Sequence, residues 1–142
     1  MSAAVVGPSI RQWSVTIPAP APWLSANQRR DLRRQTPDRR AWRDAGLVHA
    51  RRVHLPKLRR VHIVAELRFA DRRRRDPHNY YPTLKALIDG LVDYGLVPDD
   101  SHQYLVGPDV RYGPVSLGKG LGEVVLTVTD LAQPTGAGGR RG

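Results

Sequence analysis

The stretch Val61-His62-Ile63-Val64-Ala65-Glu66-Leu67-Arg68-Phe69 alternates apolar with mostly polar side chains. Successive residues of a strand point to opposite faces, so this pattern predicts a β-strand with Val61, Ile63, Ala65, Leu67 and Phe69 turned inward. Shortly beyond it, Leu84, Leu87, Ile88, Leu91 and Val92 recur at the i, i+3, i+4, i+7 and i+8 spacing of one helix face. Gly95 stands where a helix C-terminal glycine belongs. The clearest strand in the chain thus runs into the arginine-rich stretch and on to a strong amphipathic helix.

Working outward, Trp13-Ser14-Val15-Thr16-Ile17 reads as an earlier strand, stopped by Pro18, Pro20 and Pro22, because proline cannot donate to a ladder. Thr36-Pro37-Asp38 reads as a helix start: threonine caps, proline suits the first helical position, and aspartate favours the positive end of the dipole. The expected helix covers residues 37–52, with Trp42, Ala45 and Val48 or His49 inward. Tyr104-Leu105-Val106 opens a further strand, expected to break near Gly107-Pro108 and resume to Tyr112, and residues 123–129 form a last alternating strand. Between them, Gly118-Lys119-Gly120-Leu121-Gly122 resembles a phosphate loop only superficially. It lacks the following Lys-Ser/Thr and precedes a strand, so it reads as a hairpin turn. The order β-α-β-α-β-β predicts a single α+β domain, with a mixed or antiparallel sheet of about four strands and two main helices on one face. Residues 1–10 read as a flexible leader, 11–131 as the domain and 132–142 as a disordered tail.

Charge separates the classes of function. The chain carries 23 Lys and Arg against 13 Asp and Glu, for a net charge of +10. Residues 28–60 hold 12 of the basic residues against Asp31, Asp38 and Asp44, a surface that attracts polyphosphate. The absence of cysteine excludes disulfides and thiolate zinc sites. The chain has no apolar run long enough for a bilayer, and its start lacks a signal peptide's charged and apolar regions. A cytoplasmic protein with no membrane partner is the expectation.

The acidic residues are gathered. Asp71, Asp76, Asp89, Asp93, Asp99 and Asp100 all lie between positions 71 and 100, flanking four consecutive arginines, Arg72, Arg73, Arg74 and Arg75. In a basic chain, carboxylates collected beside a phosphate-attracting loop point to a bound cation. Hard oxygen ligands specify Mg²⁺ or Mn²⁺ rather than zinc. Lys85 would stabilise charge building on a scissile phosphate. Each element also has a plain structural explanation: a solvated loop for the arginines, a turn for Asp99-Asp100, a cap for Asn79, and an exposed helix face for Lys85, Asp89 and Asp93.

The string from Asp71 through Asp76-Pro77-His78-Asn79, then Lys85-Ala86-Leu87-Ile88-Asp89, then Gly95-Leu96-Val97-Pro98-Asp99-Asp100, resembles the RusA-like Holliday junction resolvases over residues 13–131. The resemblance implies a dimeric, Mg²⁺-dependent endonuclease that cuts branched DNA in phage or prophage recombination and repair. It implies Asp76, Lys85 and Asp100 as catalytic residues and Asp76, Asp100, Asp99 and His78 around the metal. It also implies DNA contacts from Arg72 to Arg75, Asn79, Arg29 and Arg30. Two departures stand out: His78 occupies the place of the family's second aspartate, and the spacing from Asn79 to Lys85 is longer by three residues. A less selective flap or branched-DNA nuclease, or a catalytically silent branched-DNA-binding protein, are the alternatives.

Overall fold

Alternation in sequence becomes alternation in burial. In strand β2 (Val61–Phe69) every second side chain is buried, and the intervening ones are half-exposed. The chain, a computed structural model, is described over residues 10–27, 32–116 and 120–132. The expected leader except Ile10, the expected tail except Ala132, and Arg29, Arg30 and Lys119 lie outside the described residues.

β2 is hydrogen-bonded on both sides. It runs antiparallel to β4 (Gly122–Asp130) over its full length and parallel to β3 (Leu105–Tyr112). β1 (Gln12–Pro18) pairs antiparallel with the far side of β4, giving the order β1-β4-β2-β3. The interruption expected near Gly107-Pro108 is a register shift against β2 between His62 and Val64, and β3 continues through it. Val15, Ile17, Ala65, Leu67, Val124 and Leu126 join Trp42, Leu84, Leu87 and Leu91 in one core. Two helices thus cover one face of a four-stranded mixed sheet. On the other face Arg68 bridges Glu66 at 2.6 Å and Glu123 at 3.2 Å, and His62 meets Asp109 at 2.7 Å.

The glycine-rich connection is not a hairpin. β3 and β4 follow one another in sequence, yet β2 lies between them. Gly113 donates its N–H to Leu67 O at 2.8 Å, and Ser116 donates to Phe69 O at 2.7 Å, so the segment follows the end of β2 before reaching β4.

Helix α1 (Leu32–Arg52) begins five residues before the expected start and holds Pro37 inside it. Proline's fixed φ is itself helical, and the preceding Leu-Arg-Arg-Gln are good helix formers, so one missing hydrogen bond does not stop the helix. Trp42 and Ala45 face inward as expected; of the two alternatives beyond them His49 is half-buried and Val48 exposed, and Gly46 and Ala50 are buried beside them. Helix α2 (Tyr81–Tyr94) packs across α1 where Gly46 and Gly90 meet. Pro82 lies in its first turn, and Gly95, at φ 99°, caps it by donating to Leu91 and Val92. The buried Thr83 hydroxyl donates to Leu24 O and accepts from Leu24 N, both at 2.8 Å, tying the proline-rich strap after β1 to the start of α2.

Candidate active site

Every acidic candidate lies in the 35 residues that carry the chain from β2 across α2 to β3. A parallel pair of strands requires such a crossover, and its loops are where polar groups can be presented without disturbing the sheet.

The first loop holds the arginines. Asp71 accepts from the Arg73 backbone N–H at 2.9 Å and pairs with Arg75 at 2.9 Å. Arg75 also lies 4.3 Å over the Phe69 ring, and its side chain is only 10 % exposed. The hydrogen bond from Arg75 holds the Asp71 carboxyl below its ordinary pKa. Arg75 therefore shapes the loop, while Arg72, Arg73 and Arg74 are exposed. Asp76 caps a short 3-10 turn (Pro77–Tyr80) by accepting from the His78 N–H at 3.0 Å, and the His78 ring lies 3.8 Å from the same carboxylate. Asn79 is held through its backbone, donating to Asp76 O at 3.0 Å and accepting from Ala26 N at 2.7 Å. The side-chain cap on this turn comes from Asp76, not Asn79.

Lys85 is where distant parts of the chain meet. It lies one turn into α2, and its ammonium donates to Asp89 at 3.0 Å, one turn further along. It also donates to Asp100, fifteen residues away in sequence. The chain after α2 makes this contact by folding back. Leu96 and Val97 are buried, Leu58 donates to Leu96 O at 2.7 Å, and Asp99 closes the next turn by accepting from Ser101 N at 2.7 Å. Hydrogen bonds to Asp100 and Asp89 raise the Lys85 pKa, and the bond from Lys85 lowers that of Asp100. Both are fully charged at neutral pH. The pair lines a cleft of about 490 Å³ with Arg39 from α1 and Tyr81.

The four expected metal ligands are not brought together. Among the described residues, no three or more His, Asp or Glu side chains form a group able to hold a metal. Asp76 and Asp99 each serve the turn they sit in, and His78 faces Asp76. Asp89, absent from the expected ligands, converges with Asp100 on one ammonium. Its i, i+4 spacing to Lys85 was the only local signal. Arg39 and Tyr81 carried no signal that could have placed them here.

The charge pairs give a pH profile of stability. Burial and Arg52 hold His49 below its ordinary pKa, so the unfolded chain binds the extra proton first as pH falls. Stability therefore declines below about 6.5, histidine's ordinary value. Asp71, Asp93 and Asp100 are all lowered by their basic partners. Their contribution is complete above about 3.9 and is lost as pH falls through the lowered values. Thermal unfolding should show two successive drops in midpoint on acidification, and His49→Gln should remove the first. A midpoint that rises from pH 7 to 5.5 would contradict this.

Among the described residues, no helix is long and apolar enough to cross a membrane. No protein-family model and no curated protein matches this chain.

Proposed function

We propose that this protein is a metal-dependent endonuclease of branched DNA, with four-way junctions as substrate, acting in the cytosol. The observation that carries the proposal is the Lys85 ammonium, held between two carboxylates in an open cleft on a strongly basic chain. With its pKa raised, Lys85 keeps its proton and cannot act as a general base. Its role is to neutralise charge on a phosphoryl oxygen while water attacks phosphorus and the bond to the leaving oxygen breaks. Arg39, across the cleft, offers the same phosphate a second donor. Asp100 and Asp89 would hold a Mg²⁺ or Mn²⁺ ion, whose chemistry is to polarise the phosphoryl oxygen and lower the pKa of bound water. Asp76 and His78 border the arginine loop rather than the Lys85 group, and on this geometry their part is to shape the DNA-facing turn. Two copies related by a two-fold axis would present two clefts to the symmetric strands of a junction.

The test is cleavage of a synthetic four-way junction with Mg²⁺ or Mn²⁺ by the native protein, Asp100→Asn and Asp76→Asn. Cleavage lost in Asp100→Asn supports the assignment. Equal cutting of linear duplex would leave a less selective nuclease. The separation of His78 and Asp76 from Asp100 favours a second reading, a branched-DNA-binding protein without hydrolysis. Tight junction binding with no cleavage under either metal would establish it.

The arginine loop makes its own prediction. Arg72, Arg73 and Arg74 are exposed while Arg75 is not, so alanine at each of the first three should lower the salt dependence of DNA binding by about one counterion. Arg75→Ala should instead destabilise the loop, and salt titrations of binding beside thermal unfolding separate the two effects.

A further inference from the structure

On the β3 side of the arginine loop lies a second cleft, of about 520 Å³, lined by Phe69, Arg72, Arg73, Arg74, Tyr112 and Val115 among others. Its floor is rigid. Phe69 is 4 % exposed and touches Trp23 at 4.5 Å and Tyr80 at 4.9 Å, with Arg75 stacked on it. Its wall is open: Tyr112 ends the edge strand β3 with 46 % exposure, edge-on to Phe69 at 6.0 Å, and Val115 beside it is 37 % exposed.

We infer that this cleft captures one unpaired nucleotide of the DNA, its base stacked on Tyr112 and its phosphate on Arg72 to Arg74. The inference rests on the proposed action on branched DNA and names what the protein recognises there. A half-exposed aromatic ring beside three exposed guanidiniums matches the two parts of a nucleotide, a flat π face and an anion. A base inside a duplex has both faces covered by its neighbours and offers the ring nothing. A base at a branch point, flap or gap can leave the stack at low cost. Selectivity for branched DNA would then come from this contact, while the arginines alone would hold any duplex.

The experiment compares two four-way junctions that differ only by one unpaired 2-aminopurine nucleotide at the branch point. Affinity is read by anisotropy of a distant dye, and stacking by quenching of 2-aminopurine. The native protein should bind the junction carrying the unpaired base about tenfold more tightly, the size expected of one base on one aromatic ring, and quench it. Tyr112→Ala should bring the ratio of the two affinities to about one and abolish the quenching, and Tyr112→Phe should keep both. Tyr112→Leu retains apolar cover for the strand and lacks a π face, so it gives the same answer if the alanine variant does not fold. A ratio that survives in the folded Ala or Leu variant overturns the inference. Native protein that binds both junctions equally overturns the inference and leaves the nuclease reading standing. Native protein that binds neither overturns both.

Discussion

Gly90→Ala should lower the unfolding free energy by about 3 kcal/mol, at the upper end of the range for overpacking. In a chain of this size the thermal midpoint would then fall by about 10 °C. A Cβ on Gly90 would fall on the Arg43 carbonyl oxygen, well inside contact distance, and 3.0 Å from Leu47 N. These are backbone atoms of α1, which cannot rotate away as a side chain would. Intrinsic propensity pushes the other way, favouring alanine over glycine in a helix by about 1 kcal/mol. The sign of the change therefore reports which effect is larger. Gly46 faces α2 in the same crossing, with its Cβ position 2.5 Å from Leu87 O and 3.3 Å from Gly90 Cα. Helices forced apart by one alanine already have room for the second, so Gly46→Ala with Gly90→Ala should cost less than the sum of the two. A Gly90→Ala protein as stable as the native one would refute the close crossing.

Lys85→Met should reduce junction cleavage by a factor of about 10² to 10³, the usual cost of losing one preorganised stabiliser of transition-state charge. Lys85 is half-exposed, so the loss should fall on chemistry rather than folding, with the circular dichroism spectrum retained. Lys85→Arg should not restore activity. An ammonium offers three rotatable donors to two carboxylates on different elements, whereas a guanidinium is a planar fork. Single-turnover cleavage at saturating protein separates this loss from a binding defect. Cutting by Lys85→Met within about threefold of native would remove Lys85 from the mechanism.

The parts of the fold that were legible are those set by neighbours in sequence. The β2 alternation, the apolar stripe of α2 and the Gly95 cap each depend on residues within a few positions, and each appears in the structure where the pattern placed it. The start of α1 was misplaced because Pro37 has the same φ in a first turn as in a second. The connection from Gly113 to Gly122 was misread because glycine composition reports that the chain turns, not which strand it joins. That β2 intervenes is a pairing across the whole sheet.

The candidate site divides in the same way. The Lys85–Asp89 spacing could be read directly, and the family resemblance drew attention to Asp100. Its arrival beside Lys85 depends on Leu96 and Val97 anchoring the returning chain in the core. The four arginines are identical as letters. Only Asp71, four residues before the last of them, and the Phe69 face decide that Arg75 turns inward.

The sheet order also divides labour within the molecule. β1, β4 and β2 form an uninterrupted antiparallel ribbon, with seven residue pairs on one side of β4 and nine on the other. None of the acidic candidates lies in that ribbon. They lie in the excursion from β2 to the edge strand β3, with Arg39 reaching in from α1. Scaffold and chemistry thus occupy separable stretches of one short chain. The length and charge of the excursion can vary while the ribbon keeps its register.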